Sequence, residues 1–580
     1  MAKRNSTGRL KHCWATRSQD GFLNTQSGEG TFLSSWHSLF WWVLLLAFTS
    51  GPLSAAQTQP PAVVPKWGRF EQKFKSAIAY ANSFQEAVLT VVFTSPSGQT
   101  NQVFGFWDGG RTWRVRFAPN QVGRWSFKTF CSDEANRGLH SQTGEFICTA
   151  ALDSDRFSRH GPLRVARDRR HFEHADGTPF FWIADTTWSG ARLSQTKDWE
   201  VYAAVRSDQN FNVAQWAVAP GDDRKKEQSW LGAPEHIAIN PEFFQRLDAR
   251  IETLRHVGML SAISPFFEVT SKTNPRPADD QLALFVRYLA ARWGADPVAW
   301  LLAFEGDGQT NNATRWKKVG RAVFGNAPHA PVLLFPGPGY WLLDEFRDQN
   351  WVDALGIQTV TDTTEDALKW AIAGPLANEW KREPARPLIA FAPCENGIAS
   401  QSKKRFRSEE VRRAIYWSLL GSPSAGVSYC SAGVAEWDIS TEAHSAKNKD
   451  GGLPLWRKAL FLPAAKQMAS LAELAKSIDF WQLQPQPNFI ATQPGPPSPG
   501  RYIAAAGTEG KDVSLIYVPE DRTLEVLLEA LPPSPLVSWF NPRTGEKSPA
   551  VAVVGGRSCQ FPTPDPGDWV LVMRGAKKVN

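Results

Sequence analysis

The feature that most constrains the fold is a repeated alternation of short apolar runs and amphipathic stretches between His171 and about Ile478. Short apolar runs are typical of strands that are buried on both faces, and the amphipathic stretches are typical of helices. Eight such repeats over about three hundred residues predict a closed (β/α)₈ barrel. The predicted strands are 179–184, 211–217, 259–267, 298–304, 330–335, 352–358, 387–392 and 425–429.

An open, doubly wound sheet is the alternative fold for such a pattern. It is disfavoured because no glycine-rich phosphate loop follows the first predicted strand. Asn240 and Ser408 are expected at helix starts, because each precedes residues that suit a first helical turn. The predicted helices include 241–257, 281–293, 314–323, 364–381 and 409–420.

Different patterns flank the barrel. Between Trp67 and Cys148 apolar and polar residues alternate with a period of two, which predicts a small β-sandwich. Short strands separated by turns follow a Pro- and Gln-rich boundary at 484–499 and predict a second β-sandwich. The predicted organisation is a signal peptide or anchor at 1–56, a linker at 57–65, a sandwich at 66–150, a linker at 151–170, the barrel at 171–480, a linker at 481–500 and a sandwich at 501–577.

The amino-terminal segment predicts export. The apolar run at 39–48 follows a basic region and precedes small residues up to Ala56, an order typical of a secretory signal peptide. An uncleaved membrane anchor is the alternative, although the run is short for a span. The expected location is therefore secreted or periplasmic. Export also allows disulfides, and Cys131 with Cys148 is the candidate pair.

Composition favours a carbohydrate as the partner. The 580 residues include 26 Trp against only 8 Tyr, and flat aromatic faces pack well on sugar C–H surfaces, although most Trp side chains fill cores. The net charge of +7 falls to +4 without the first thirty residues, which hold five basic and two acidic side chains. This surplus is compatible with an acidic polysaccharide and does not indicate nucleic acid. The histidine spacing predicts no metal site, and no cofactor is expected.

Two glutamates that directly follow apolar runs are the candidate catalytic pair. Carboxyl ends of barrel strands meet at one rim, and glycoside hydrolysis needs one carboxyl group as acid and another as nucleophile or base. Glu305 is the candidate acid/base and Glu395 the candidate nucleophile, with Asp307 and Glu268 as candidates for a catalytic or supporting role. The structural alternatives are a solvated or helix-capping acid at 305–307 and a turn hydrogen bond at Glu395.

Other polar and aromatic residues at or just after strand ends predict sugar-binding subsites. Hydroxyl, amide and carboxylate groups around an aromatic surface suit sugar recognition. The alternative for Asp185 is a structural role, in which its carboxylate accepts hydrogen bonds from backbone groups of its own loop. The predicted substrate-binding residues are Asp185, Trp188, Gln215, Gln358, Tyr429 and Trp437.

Several segments resemble the apiosidase-like glycoside hydrolases. FFWIADTTW is similar to the family's first barrel strand, VAWLLAFEGDG to its W-x-x-x-G-D stretch, and RPLIAFAPCENGI to its late strand with E-P-x-Y-E. VFGFWDGGRTWRVRFAPNQVGRWSF resembles the β-domain that often precedes this barrel. VSWFNPRTGE and the closing DWVLV resemble the accompanying domain described as collagen-binding. The resemblance covers nearly all of the chain after the leader.

The resemblance implies an acid at Glu305, where Asp is commoner in the family, and a late-strand acid at Glu395. It also reveals departures, because Ala392 stands where the family has an accompanying Glu and the Tyr of the motif is missing. Such changes matter, since a misplacement of about 1 Å can cost on the order of a hundredfold in rate. The resemblance implies plant pectic side chains as the substrate. By analogy it implies a retaining mechanism, for which carboxyl groups about 5–5.5 Å apart are typical, against roughly 6.5–9.5 Å for inversion.

A non-catalytic protein that binds carbohydrate or matrix is the main alternative, since a barrel fold alone does not establish catalysis. The Ala392 departure is its best support. An esterase or lyase is disfavoured, because the sequence contains neither a nucleophile-elbow serine motif nor a metal-binding pattern.

Overall fold

The computed structural model describes residues 61–575, except 220, 223–226, 267–276, 303–310, 327, 338–340, 342, 359, 361, 398–401, 440–454, 495–497 and 533. The predicted signal or anchor segment lies outside the described residues, as do Glu268, Glu305 and Asp307. Within the described ranges, no helix is long and apolar enough to cross a membrane.

The amino-terminal domain contains two β-sheets around one core. Alternating residues of both sheets fill this core, including the fully buried Val115 and Trp125. The elements are β1 (Ala62–Pro65), β2 (Phe70–Lys75), α1 (Ser83–Glu86), β3 (Leu89–Thr94), β4 (Thr100–Phe104), β5 (Phe106–Trp107), β6 (Thr112–Phe117), β7 (Gly123–Cys131) and β8 (Thr143–Thr149). One sheet has the order β1-β8-β7-β3-β4 and the other β2-β6-β5.

The expected disulfide between Cys131 and Cys148 is wrong. Both cysteines are buried free thiols. In the antiparallel pairing of β7 with β8, Cys148 lies opposite Gly123, at the end of β7 farthest from Cys131. Eight residues of strand separate two positions by roughly 26 Å, whereas a disulfide needs α-carbons within about 7 Å.

A short connection joins this domain to the barrel. It consists of the helix α2 (Arg156–His160) and a small antiparallel sheet of β9 (Leu163–Val165), β10 (Phe172–His174) and β11 (Pro179–Phe180). Asp155 caps α2, because its Oδ1 accepts hydrogen bonds from the backbone N–H groups of Phe157 (2.9 Å) and Ser158 (3.0 Å). Such a side-chain cap satisfies donors that the first turn of a helix leaves free.

We expect Asp155→Ala to lower the free energy of unfolding by about 1 kcal/mol, because two backbone donors of α2 lose their acceptor. Asp155→Asn keeps an acceptor oxygen and is expected to lose less. Urea unfolding of the two variants and the wild type measures the difference. Equal stability of Asp155→Ala and the wild type would show that the cap contributes nothing.

Eight parallel strands form a closed barrel, as the sequence pattern predicts. Their order around the barrel follows the chain, and the last strand pairs with the first from Trp182↔Gly426 to Thr186↔Cys430. Every predicted strand is present, with its ends within three residues of the predicted bounds. The barrel strands are β12 (Trp182–Thr186), β13 (Val213–Ala219), β18 (Leu260–Phe266), β19 (Val298–Leu302), β20 (Val332–Leu334), β21 (Ala354–Ile357), β22 (Leu388–Phe391) and β23 (Gly426–Cys430).

Helices surround the barrel, and two small hairpins follow its second strand. The hairpin strands are β14 (Gly221–Asp222), β15 (Glu227–Gln228), β16 (Trp230–Ala233) and β17 (His236–Ile239). The helices are α3 (Gly190–Leu193), α4 (Thr196–Asp208), α5 (Pro241–His256), α6 (Asp279–Trp293), α7 (Asn311–Phe324), α8 (Leu343–Phe346), α9 (Glu365–Ala373), α10 (Pro375–Glu379), α11 (Ser408–Gly421), α12 (Ala432–Ala435), α13 (Trp456–Ala459) and α14 (Pro463–Lys476).

Two details of the predicted helices differ from the structure. The single helix expected at 364–381 is divided into α9 and α10 at Gly374, because Pro375 has no N–H to donate and favours an extended residue before it. Ser408 is the first residue of α11 and does not cap it from outside. Instead Glu410 accepts a 2.6 Å hydrogen bond from the backbone N–H of Arg407.

The barrel strands separate two layers of side chains, and this separation decides which residues can reach a substrate. We call the side chains enclosed by the strands the interior cluster and those between the strands and the helices the outer layer. The interior cluster includes Trp182, Ala184, Val213, Ala217, Ala299, Leu301, Ile389 and Phe391. The outer layer includes Ile183, Ala214, Trp216, Val298, Trp300, Leu388, Ala390 and Tyr429.

The carboxyl-terminal domain also contains two sheets, one of which packs against α11. Its strands are β24 (Gln484–Pro485), β25 (Ala504–Gly507), β26 (Val513–Val518), β27 (Thr523–Leu527), β28 (Leu536–Phe540), β29 (Lys547–Pro549), β30 (Val553–Gly555), β31 (Ser558–Pro562) and β32 (Trp569–Arg574). The sheet orders are β24-β25-β26-β32-β28-β29 and β27-β31-β30. Arg412 of α11 forms a buried ion pair with Asp568, at 2.7 Å, which joins this domain to the barrel.

Asp248 of α5 joins the amino-terminal domain to the barrel. Its carboxylate accepts hydrogen bonds from Arg116 of β6 at 2.8 Å, from Arg292 of α6 at 2.7 Å, and from the indole N–H of Trp293 at 2.6 Å. Burial acts to raise the pKa of Asp248, but the hydrogen bonds and charges of the two arginines outweigh it and lower the pKa to about 2. The carboxylate is therefore ionised throughout the physiological range.

Candidate active site

Three aromatic rings cover the barrel interior near the carboxyl ends of the strands. Trp188 follows β12, Phe335 follows β20 and Phe391 ends β22, and we call these rings the aromatic floor. The ring centroids of Trp188 and Phe335 are 5.2 Å apart, and those of Phe335 and Phe391 are 4.2 Å apart. Gly356 makes room for this packing, because a Cβ there would lie 2.2 Å from the Phe391 ring. The three rings are 5–6% exposed and meet edge-on, and aromatic rings of this kind pack against sugar rings where a ligand reaches them.

Gln215 of β13 supplies a polar group beside the interior cluster. It alternates with the interior residues Val213 and Ala217, and its Oε1 accepts hydrogen bonds from Ser428 Oγ (2.6 Å) and Thr186 Oγ1 (3.1 Å). The Gln215 side chain is fully buried, and its Nε2 has no partner within the described part of the chain. A buried donor without a partner is costly, so this amide is a candidate group for binding a ligand oxygen.

Gln358 is, after Trp188 and Gln215, the third of the predicted binding residues whose position along the chain matches the barrel interior. It follows β21 and is half-buried. Ala354 belongs to the interior cluster and the backbone of Gly356 lies against Phe391, and Gln358 continues this period of two. Trp188, Gln215 and Gln358 are therefore the predicted residues that sit at interior positions.

Asp185, Tyr429 and Trp437 lie in a different layer. Asp185 Oδ2 accepts a 2.8 Å hydrogen bond from Arg206 Nε of α4, and both side chains are fully buried. The Arg206 guanidinium also lies 5.7 Å from the ring centroid of Tyr429. Trp437 stacks on Trp456 at 4.3 Å. These contacts belong to the outer layer, where side chains fix helices to strands.

In the first barrel strand, successive side chains point alternately to the barrel interior and to the helices, and this alternation shows to which layer each residue belongs. Trp182 and Ala184 are interior residues, and Ile183 is an outer one. Asp185 continues the spacing of Ile183, so a count of alternating positions places it outside. The same count separates Ser428 from Tyr429 on β23.

Glu395 is brought to the outer layer by an irregularity after β22. Phe391 pairs with Ser428, whereas Glu395 forms a bridge with Ser431. Four residues on one strand thus match three on its neighbour, and such an extra residue reverses the side to which later side chains point. The Glu395 carboxylate accepts hydrogen bonds from the Tyr429 hydroxyl at 2.6 Å and from the backbone N–H of Ala464 at 3.3 Å.

Burial raises the pKa of Glu395 above its ordinary value, although the Tyr429 hydrogen bond and the charges of Arg412 and Arg206 act in the opposite direction. A carboxyl group with a raised pKa binds its proton more tightly in the folded chain than in the unfolded chain. Its contribution to stability is therefore present at low pH and is lost as the pH rises through the folded-state pKa. These contacts favour a structural role for Glu395, and its predicted nucleophilic role stays a prediction.

A disulfide joins the two strands at this irregularity. Cys394 and Cys430 are bonded, with their α-carbons 4.3 Å apart, and Cys430 belongs to the interior cluster. The bond ties the segment before Glu395 to the end of β23. Sequence spacing alone did not single out this pair.

The remaining predicted catalytic residues, Glu305, Asp307 and Glu268, lie outside the described residues. Among the described residues, no group of three or more His, Cys, Asp or Glu side chains could hold a metal ion. The described site thus consists of the aromatic floor and the polar side chains Thr186, Gln215, Gln358 and Ser428.

The model of the apiosidase-like catalytic domain matches residues 166–482, which is more than half of the chain. This chain belongs to the apiosidase-like family. A domain of unknown function, DUF5060, matches residues 63–132, and the domain described as "Putative collagen-binding domain of a collagenase" matches residues 485–574. A search of the curated proteins finds no match.

Solved structures of glycoside hydrolases share the fold. One, described as a glycoside hydrolase, has 18% identity and a TM-score of 0.62, and the match covers 72% of this chain and 98% of that one. A glycoside hydrolase family 5 structure from Bacteroides vulgatus ATCC 8482 has 19% identity and a TM-score of 0.62, with 73% and 95% covered. At these identities the likeness shows the fold alone. Together with the family membership, it identifies the apiosidase-like chain as a glycoside hydrolase.

Proposed function

We propose that this apiosidase-like enzyme is exported and hydrolyses O-glycosidic bonds of plant-type or other complex polysaccharides. The observation that carries the proposal is the placement of the aromatic floor together with the unpartnered Gln215 amide in the barrel interior. Aromatic faces pack on sugar C–H surfaces, and a few buried polar groups fix the orientation of a ligand. Trp188, Gln215 and Gln358 are the residues to which we assign sugar binding.

We assign the general acid to Glu305. The described part of β19 alternates, with Ala299 and Leu301 in the interior cluster and Trp300 in the outer layer. Glu305 follows β19 along the chain, and the active sites of such barrels lie at the carboxyl ends of their strands. Asp307 follows the same strand and is the alternative acid.

The second carboxylate is assigned to Asp307 or Glu268, with Glu395 as a positioning residue. This assignment is supported by the hydrogen bonds of Glu395 to Tyr429 and Ala464, which occupy both of its carboxylate oxygens in the outer layer. Glu395 would then stabilise the irregular segment after β22, close to Phe391 of the aromatic floor. The mechanism needs one carboxyl group to protonate the leaving oxygen and another to attack the sugar or activate water.

Export of the chain is supported by the Cys394–Cys430 disulfide, because disulfides persist mainly in oxidising compartments. The apolar run and small residues near Ala56 supply the corresponding signal in the sequence. We propose that the two flanking domains are β-sandwiches that support the barrel, since each contains two sheets around a common core.

A carbohydrate-binding barrel with impaired catalysis is the second candidate function. It is favoured by Ala392, which stands where the resemblance implies a glutamate and which lies buried in the outer layer. The outward contacts of Glu395 favour it as well, because they remove one predicted carboxylate from the interior.

Release of reducing sugar from a panel of pectic and hemicellulosic oligosaccharides tests these two functions. The same panel is used in a binding assay, so that a ligand is recognised even without turnover. Release by the wild type supports the hydrolase and reveals its sugar. Saturable binding without release by the wild type would instead establish the binding function.

For an oligosaccharide that the panel identifies, we expect Gln215→Glu to lower kcat/KM about fivefold. The change keeps an acceptor for Thr186 and Ser428 but removes the free amide donor, and one hydrogen bond is worth about 1 kcal/mol. Ser428→Ala is the matched control, because it removes one neighbour of Gln215 and leaves the donor in place. Equal kinetics of Gln215→Glu and the wild type would exclude this amide from substrate binding.

A further inference from the structure

A cleft opens at the end of the barrel where the strands begin, opposite the aromatic floor. It has a volume of about 840 Å³ and lies between α2, the β9–β11 sheet, and the carboxyl-terminal ends of α4, α5 and α14. Phe181 and Ile183 at the start of β12 contribute to its lining, as do Phe211 and Asn212 just before β13. The aromatic floor follows the other ends of these strands, so the cleft is separate from the candidate active site.

Arg156 of α2 is a partly buried cation that faces this cleft without a partner. Its guanidinium carbon lies 5.6 Å from the ring centroid of Phe180, and within the described part of the chain it has no hydrogen bond or ion pair. Burial lowers the pKa of Arg156, and no neighbouring carboxylate counteracts this. A guanidinium in such surroundings remains charged and is suited to a planar anion such as a carboxylate.

Most of the other charged groups of the cleft have partners of their own, and Asp479 adds one negative charge to the lining. His160 Nδ1 lies 2.7 Å from Asp176, and Lys476 Nζ lies 2.8 Å from Glu473. Asp155, which also lines the cleft, is engaged in capping α2 through Phe157 and Ser158. The positive charge of Arg156 is therefore the one that a ligand would neutralise.

Trp481 gives the cleft an apolar face. Its side chain is partly exposed and stacks on His171, with centroids 5.9 Å apart and planes inclined by 29°. Phe480 packs edge-on against it at 5.2 Å, which holds the indole in place. A fixed, partly exposed indole suits the C–H face of a sugar, and Asn210 and Thr178 add polar groups to the lining.

We propose that this cleft is a secondary binding site for an acidic sugar, with Arg156 on the carboxylate and Trp481 against the sugar ring. The choice of a sugar rests on the proposed function of the barrel, whereas the choice of an anion rests on Arg156 alone. Such a site would hold a charged region of a polysaccharide while another region is at the reaction centre.

Titration calorimetry with a trimer of galacturonic acid tests the proposal, with a neutral trimer of galactose as the second ligand. Both are titrated into the full chain carrying Glu305→Gln, so that hydrolysis does not consume the ligand. We expect the acidic trimer to bind, and Arg156→Gln to weaken its binding at least tenfold, because a hydrogen bond to a charged group is lost. Arg164→Gln is the matched control, since Arg164 lies on the neighbouring β9 and pairs with Glu173.

Three results would overturn the proposal: no binding of the acidic trimer, binding that Arg156→Gln leaves unchanged, or equal losses in Arg156→Gln and Arg164→Gln. The test also separates this site from the proposed hydrolysis. Binding that depends on Arg156, together with no release of sugar by the wild type on the oligosaccharide panel, would support the cleft proposal and contradict the proposed hydrolysis. Release of sugar by the wild type without binding that depends on Arg156 would support the proposed hydrolysis and contradict the cleft proposal.

Discussion

Replacing Asp185 by alanine is expected to lower the free energy of unfolding by about 3–5 kcal/mol. Asp185 and Arg206 form an ion pair in which both side chains are fully buried. Burial raises the pKa of Asp185, although the nearby Arg206 charge acts to lower it. The pair itself therefore contributes little, but the variant leaves the Arg206 guanidinium charged and buried without its counterion, which is costly.

Urea unfolding measures this loss, and two variants serve as controls. Asp198→Ala removes a partner of Arg457 from a solvent-exposed ion pair and is expected to cost no more than about 1 kcal/mol. Asp185→Leu combined with Arg206→Leu removes both charges and is expected to be more stable than Asp185→Ala. A loss below that of Asp198→Ala would contradict the structural role of the pair.

Replacing Glu305 by glutamine is expected to reduce kcat about 10²–10⁴-fold on any oligosaccharide that the wild type cleaves. Glutamine has nearly the same shape but cannot protonate the leaving oxygen, so the substrate should still bind. Initial rates of reducing-sugar release and a separate binding titration measure the two quantities. Turnover close to that of the wild type would show that Glu305 is not the acid.

The barrel could be predicted from the sequence because each of its strands is a short apolar run followed by a helical pattern. The division of α9 from α10 was visible in the sequence as well, since Gly374 and Pro375 are strong helix breakers. Trp188 and Gln215 occupy interior positions, and their role in sugar binding stays a prediction.

A position at the end of a strand does not by itself tell whether a side chain points to the barrel interior or to the outer layer. Asp185 and Tyr429 lie at strand ends, but the alternation of side chains along the strand places them on the side of the helices. There both contact Arg206, and no local sequence motif predicts these buried contacts. Glu395 could not be placed by counting along its own strand. The extra residue after Phe391 is defined only by the register with β23, and register depends on tertiary pairing.

The disulfide illustrates the same limit. Cys131 and Cys148 are close in sequence, yet the antiparallel register separates them along β7 and β8. Cys394 and Cys430 are far apart in sequence and become neighbours because β22 and β23 pair in the barrel.

The most direct test of the catalytic assignment compares Glu305→Gln with Glu395→Gln on one oligosaccharide that the wild type cleaves. Because Glu395 contacts Tyr429 and Ala464 in the outer layer, Glu395→Gln should retain turnover within about tenfold of the wild type, as expected for the loss of a structural hydrogen bond. Glu305→Gln should lose nearly all turnover and still bind the sugar. Loss of turnover in Glu395→Gln, with stability and binding unchanged, would contradict the outward assignment and return Glu395 to the role of nucleophile.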